Sequence, residues 1–111
     1  MKKYALTDTR VKRVLFVLNQ RYADRETNEF RGSKSLREVT TAYNKYYPPG
    51  IFGKIVGTHL SEIEIQAILN FLIAEDLVVR ELLSFTDRYL KTPELHYRQS
   101  PAGIQHMRKN K

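Results

Sequence analysis

Gln66 and Asn70 stand four residues apart in a stretch that opens with Ser61-Glu62-Ile63-Glu64. On a helix that spacing puts both amides on one side, with Glu62 a turn earlier and Ile73 further along. Glutamine and asparagine are the side chains suited to bidentate hydrogen bonds with adenine, and a glutamate at position 62 can accept from a cytosine amine. The row therefore has the chemistry of base recognition. It is equally the composition of an ordinary solvated helix face, and the residue types alone leave both readings open.

Base contacts need phosphate contacts to hold them in register. Arg88 and Lys91, with Tyr89 between them, lie in a short basic loop from which they can reach phosphates or a minor groove. Lys34 and Arg37 flank the expected start of a second helix, where free N–H groups and the helix dipole favour an anion. Lys54 precedes the helix that carries Gln66. Taken singly, each of these reads as a solubilising surface charge; together they suggest a phosphate-binding rim. The formal net charge of +7 is compatible with a polyanionic partner. The charge is uneven, however. Residues 61–85 hold one basic residue against five acids, whereas residues 1–34 hold nine against four. A basic protein would thus present an acidic recognition helix, which is unusual beside two lines of phosphates.

Enzymatic chemistry has little to work with. There are no cysteines, the three histidines (His59, His96 and His106) are scattered, and there is no glycine-rich phosphate loop. His59 and Glu62 have a spacing at which both can reach one metal, but a single such pair is common by chance. The expectation is a non-enzyme with no cofactor and no metal site.

Four helices and a hairpin must position these residues. Val11, Val14, Leu15, Leu18 and Tyr22 form a stripe at helical spacing behind Thr7 and Asp8, predicting helix 1 over about 8–23. Ser35-Leu36-Arg37-Glu38 is a serine-to-glutamate capping box, and Pro48-Pro49-Gly50 ends what it starts, predicting helix 2 over about 36–47. The link from Pro48 to Thr58 is either a wandering loop or a short extra helix around Ile51 to Val56. Ser61 with Glu64 is a second capping box, with helix 3 expected over about 62–75 and Leu60, Ile63, Ala67, Phe71, Ile68 and Leu72 facing inward. Leu77 to Phe85 and Leu95 to Gln99 read as the strands of a hairpin spanning about 77–99. Ser100-Pro101 then caps a last helix over about 101–108.

Leu60 to Leu77, Val78 and Val79, followed by Tyr97-Arg98-Gln99-Ser100-Pro101-Ala102-Gly103, resemble the pattern of many prokaryotic winged helix-turn-helix regulators: a recognition helix ending in L-x-x-x-x-L-V, a wing, and Y-x-L-[ST]-x-x-G. Gln99 departs from it, standing where an apolar residue is usual. The resemblance covers about half of the chain. It implies a mainly α fold with a small β-hairpin (α+β), in the order helix-helix-helix-strand-strand-helix. It further implies a small sequence-specific regulator that reads double-stranded DNA with helix 3 and a basic wing. The competing expectation is a protein–protein interaction module that uses acidic helix 3 and does not bind DNA.

Phe16 and Val17 fall on the side of helix 1 opposite its apolar stripe, so something should cover them. The candidates are Ile104 and Met107 of the same chain's last helix, or a homodimer built from helix 1 and that helix, which would present two wings to a palindromic site. Tyr43, Tyr46 and Tyr47 cannot all point inward from one helix, and at least one is expected at the surface. With 111 residues, 41% hydrophobic and 28% charged, the chain fits one small domain. No apolar run is long enough to span a bilayer and no signal-peptide core follows Met1, so the expected location is cytoplasmic, without a membrane partner.

Overall fold

A computed structural model describes residues 4–19, 22–23, 30–31, 33–47, 60–83 and 94–109. Helix α1 (Thr9–Asn19) starts where Asp8 Oδ1 accepts the Arg10 backbone N–H at 2.8 Å, satisfying one of the free donors of the first turn. It ends four residues earlier than the apolar spacing predicts. Tyr22 leaves the helical stripe because β1 (Tyr22–Ala23) pairs antiparallel with β2 (Phe30–Arg31), setting Tyr22 opposite Arg31. A helical period carries no information about a backbone partner further along the chain.

Strand β3 (Lys34–Ser35) leads directly into α2 (Leu36–Tyr46). Here the predicted capping box forms in full. Ser35 Oγ accepts from the Glu38 N–H at 3.2 Å and Glu38 Oε1 accepts from the Ser35 N–H at 2.9 Å. Helix α3 (Glu62–Ala74) is capped by Ser61, whose Oγ accepts from the Glu64 N–H at 3.3 Å. The Glu64 carboxylate does not reach back to the Ser61 backbone; it accepts instead from the Ser61 hydroxyl at 3.3 Å. Strands β4 (Val78–Leu83) and β5 (Glu94–Gln99) form the hairpin, and α4 (Pro101–Lys109) follows.

The three-stranded sheet is antiparallel throughout, in the order β3-β5-β4, with Lys34 opposite Tyr97, Val78 opposite Gln99 and Leu83 opposite Glu94. The described residues therefore make a mostly helical α+β fold of four helices, this sheet and the β1-β2 ribbon. The hairpin appears where the alternation predicts it. The three two-residue strands do not register in the sequence, since two residues are too few to show an alternating pattern.

One core joins these elements. Val11, Val14, Leu15, Val17 and Leu18 of α1 meet Val39 and Tyr43 of α2, Ile65, Ile68, Leu69 and Leu72 of α3, and Leu60, Leu77, Val78 and Tyr97. Two expectations are corrected here. Val17 is fully buried instead of lying on an uncovered outer face, because α2 and α3 both pack on α1 and the core wraps more than one stripe of it. Ile63, expected inward, is 83% exposed. Nine of the thirteen residues of α3 are apolar, so several stripes are candidates for the buried face; Leu60, Ile68 and Leu72 are buried as expected and Phe71 packs on the core, but the buried face also takes in Ile65 and Leu69, which turns Ile63 outward. Among the tyrosines, Tyr43 is buried and Tyr46 is 50% exposed, as the helix geometry requires.

Polar side chains fix the joints. Asn44 of α2 holds the Leu60 backbone from both sides, accepting its N–H and donating to its carbonyl, each at 2.9 Å. The start of α3 is thereby tied to α2. At the other end of α3, Asp76 takes φ 61°, the Asp76 N–H bonds the Ile73 carbonyl and the Leu77 N–H bonds the Leu72 carbonyl, both at 3.0 Å. This is a Schellman turn with aspartate where glycine is usual. Ser100 closes the arrangement: its hydroxyl donates to the Asp76 carbonyl at 2.6 Å and accepts from the Gly103 N–H at 3.0 Å. Gly103 lies against the Leu77 carbonyl oxygen, and a Cβ at this position would overlap it. Gln99, at the usually apolar position, is 7% exposed and donates to the Leu15 carbonyl of α1 at 2.6 Å.

Candidate nucleic-acid interface

A groove of about 540 Å³ runs between the start of α2, the first half of α3 and the start of β5, and Arg37, Gln66 and Tyr97 all line it. The sheet explains the convergence. Pairing of β3 with β5 lays the N-terminus of α2 beside Tyr97, and α3 packs on α2, so that Gln66 arrives at the same place. Glu94 and Leu95, the first residues of β5, complete the wall.

The hydrogen bonding in this groove is specific. The Tyr97 hydroxyl donates to Gln66 Oε1 at 3.2 Å, and Gln66 Nε2 donates to Asn70 Oδ1 at 3.0 Å. Both ends of the Gln66 amide are thus engaged within the protein. The exposed Asn70 retains its Nδ2 donors, and Glu62 and Ile63 lie exposed on the same side of the helix. A ligand reading this face meets Ile63, Asn70 and Glu62 directly, and meets Gln66 only by displacing Tyr97 or Asn70 from it.

Of the expected phosphate contacts, Arg37 is exposed in the first turn of α2, between the Ser35 cap and Glu38. Lys34 is not at the surface. It is 3% exposed, because β3 pairing makes the residue before the Ser35 cap part of the sheet and not a solvent-facing helix end. Lys54, Arg88, Tyr89 and Lys91 lie outside the described residues, as does the Pro48–Thr58 link; the described strands before and after residues 84–93 are β4 and β5. The remaining expected contact residues gather elsewhere. Phe16 is half-buried, edge-on to Tyr46 and Tyr47 with ring centroids 5.9 and 6.4 Å away, and shares a second groove with Ile104 and Met107.

Two features of the site are not legible in the sequence. The Tyr97 hydroxyl bond to Gln66 joins residues 31 positions apart, and no local pattern announces it. His96 is fully buried on the central strand, with Nδ1 3.2 Å from Ser33 Oγ and Nε2 3.0 Å from Glu94 Oε1. It braces the strand beside the groove. Among the described residues no cluster of three metal-ligating side chains occurs, and no helix is long and apolar enough to cross a membrane.

Comparison with protein-family models, with curated proteins and with solved structures found no match for this chain.

Proposed function

We propose that this protein is a winged helix-turn-helix DNA-binding protein, with α2 and α3 as the helix pair and the β4-β5 hairpin as the wing. The observation that carries this reading is the convergence of Arg37, Gln66 and Tyr97 on one groove, with Asn70 bonded to Gln66 at its edge. In this reading Arg37 and the α2 N-terminus hold a phosphate, Asn70 offers amide donors to a base edge and Ile63 an apolar contact to a thymine methyl. Arg88 and Lys91, between β4 and β5 in sequence, add positive charge that compensates for the acidic first turn of α3. Tyr97 holds Gln66 in a fixed rotamer until a base competes for it.

Fluorescence-anisotropy titration against mixed-sequence duplex DNA at several salt concentrations tests this reading. The expected result is an affinity that falls steeply with salt, an Arg37→Glu or Arg88→Glu variant weakened on all sequences, and an Asn70→Ala variant that loses discrimination more than affinity. Absence of binding at low salt would refute it.

A second reading has its own observation. Leu82 and Leu95 are directly paired across the hairpin and exposed by 62% and 44%, forming an apolar spot on one sheet face. Together with Glu62 and Glu64 this suits a basic protein partner. In that case Leu82→Lys or Glu62→Lys abolishes partner capture, and DNA affinity is absent at every salt concentration.

A further inference from the structure

Helices α1 and α4 leave between them a groove of about 580 Å³, within the size range of small-molecule sites. Its floor is hydrocarbon: Leu6, Val11, Leu15, Phe16, Ile104 and Met107 all contribute. Val11 and Leu15 belong to the core, whereas Ile104 at the rim is 40% exposed, so the apolar surface runs from the interior out to solvent. The charged side chains around it are of one sign. Lys12, Arg13 and Arg108 line it with His106, and no aspartate or glutamate does so among the described residues. The Arg13 guanidinium lies 4.6 Å from the Tyr47 ring centroid, which keeps its charge at that wall.

This lining narrows the choice of occupant. A second copy docked symmetrically would set the patch against itself and bring Lys12, Arg13 and Arg108 toward their own images, an arrangement in which like charges oppose association. A neutral apolar molecule would leave the cations without a role. We propose that the groove binds a small organic carboxylate with an apolar body, its hydrocarbon part on Leu15, Phe16, Ile104 and Met107 and its carboxylate met by Lys12, Arg13 and Arg108. Binding is independent of the DNA-binding reading, because the residues involved line the α1-α4 groove and none lines the α2-α3-β5 groove.

The test is isothermal titration of the full chain with decanoate below its micelle concentration, beside decyltrimethylammonium and acetate, with circular dichroism confirming that each variant is folded. One decanoate should bind per chain, with the cation of equal chain length and the short acid each weaker by about tenfold or more. Combining Lys12→Gln with Arg108→Gln, both at exposed positions, should weaken decanoate by roughly tenfold while leaving the fold intact. Ile104→Asp should do the same from the apolar side. Equal binding of anion and cation, undiminished binding in the charge variant, or no binding to the folded protein overturns the proposal. So does a dimer in light scattering that Ile104→Asp dissociates, which would assign the groove to a second copy.

Discussion

The α2-α3-β5 groove and the α1-α4 groove are similar in size, about 540 and 580 Å³, and opposite in chemistry. The first is lined by polar groups that already bond one another, Tyr97 to Gln66 and Gln66 to Asn70, and it holds both signs of charge in Arg37 and Glu94. The second has a hydrocarbon floor, and the charged side chains among its described lining residues are all basic. Net charge therefore says little about where an anion goes on this protein. Under the two proposals, a polyanion would be met at the first groove by a pre-arranged hydrogen-bonding surface, whereas the second would take an anion that brings its own apolar body. The two share no lining residue: α1 and α4 wall the second, and no α1 residue lines the first.

The contrast can be broken first at Gly103. A Cβ there meets the Leu77 backbone oxygen, which cannot rotate away as a side chain would, so Gly103→Ala should cost about 3 kcal/mol. Urea titration measures the loss, and decanoate binding should fall with it, because α4 must shift away from Leu77 and carries Ile104, Met107 and Arg108 with it, while Arg37 and Gln66 stay in place. Asn44→Ala attacks the other groove. It leaves the Leu60 N–H and carbonyl without their partner and frees the start of α3 from α2, at a cost of roughly 1–3 kcal/mol in the same assay. In that variant any DNA affinity should decline more than decanoate affinity.

Tyr97→Phe is the finer probe. Removing the hydroxyl costs about 0.5–1.5 kcal/mol and releases Gln66 Oε1, so the Gln66 side-chain amide resonances should shift and broaden in NMR spectra. If Gln66 must be freed to read a base, this variant should bind a specific site no worse than the parent; an unchanged Gln66 signal would show that the tyrosine does not restrain it. The smallest effect is expected from acid. The Arg10 guanidinium, hydrogen-bonded to Asp8 at 2.9 Å, holds the Asp8 carboxyl below the usual carboxylate range. Its contribution is present above the ordinary carboxylate pKa and is lost as pH falls through the lowered folded value. Thermal melts across that interval should decline slightly less for Asp8→Asn than for the parent, because the variant has no carboxylate to protonate there.

Local chemistry made much of the fold legible. Ser35 with Glu38, Ser61 before α3, Asp8 before α1 and Ser100-Pro101 before α4 each mark a helix start that the structure keeps, because a cap depends on groups within three or four residues of one another. The β4-β5 hairpin was legible for a similar reason, since alternation and a polar loop are local signals. The end of α1, the burial of Lys34 and the three short strands were not, since each depends on a backbone partner distant in sequence.

The candidate site divides along the same line. The sequence by itself determined that Gln66 and Asn70 share a helix face and that Arg37 stands in a capped first turn, because both follow from helix geometry. Only the tertiary structure decided which face of α3 is buried, for a helix apolar on most sides can turn any of several stripes inward, and packing against α1, α2 and the sheet selects one. The same packing exposed Ile63, buried Val17, gave Gln66 its tyrosine and left Phe16, Ile104 and Met107 in a shared groove. Those outcomes depend on contacts between elements, and no spacing within a single element encodes them.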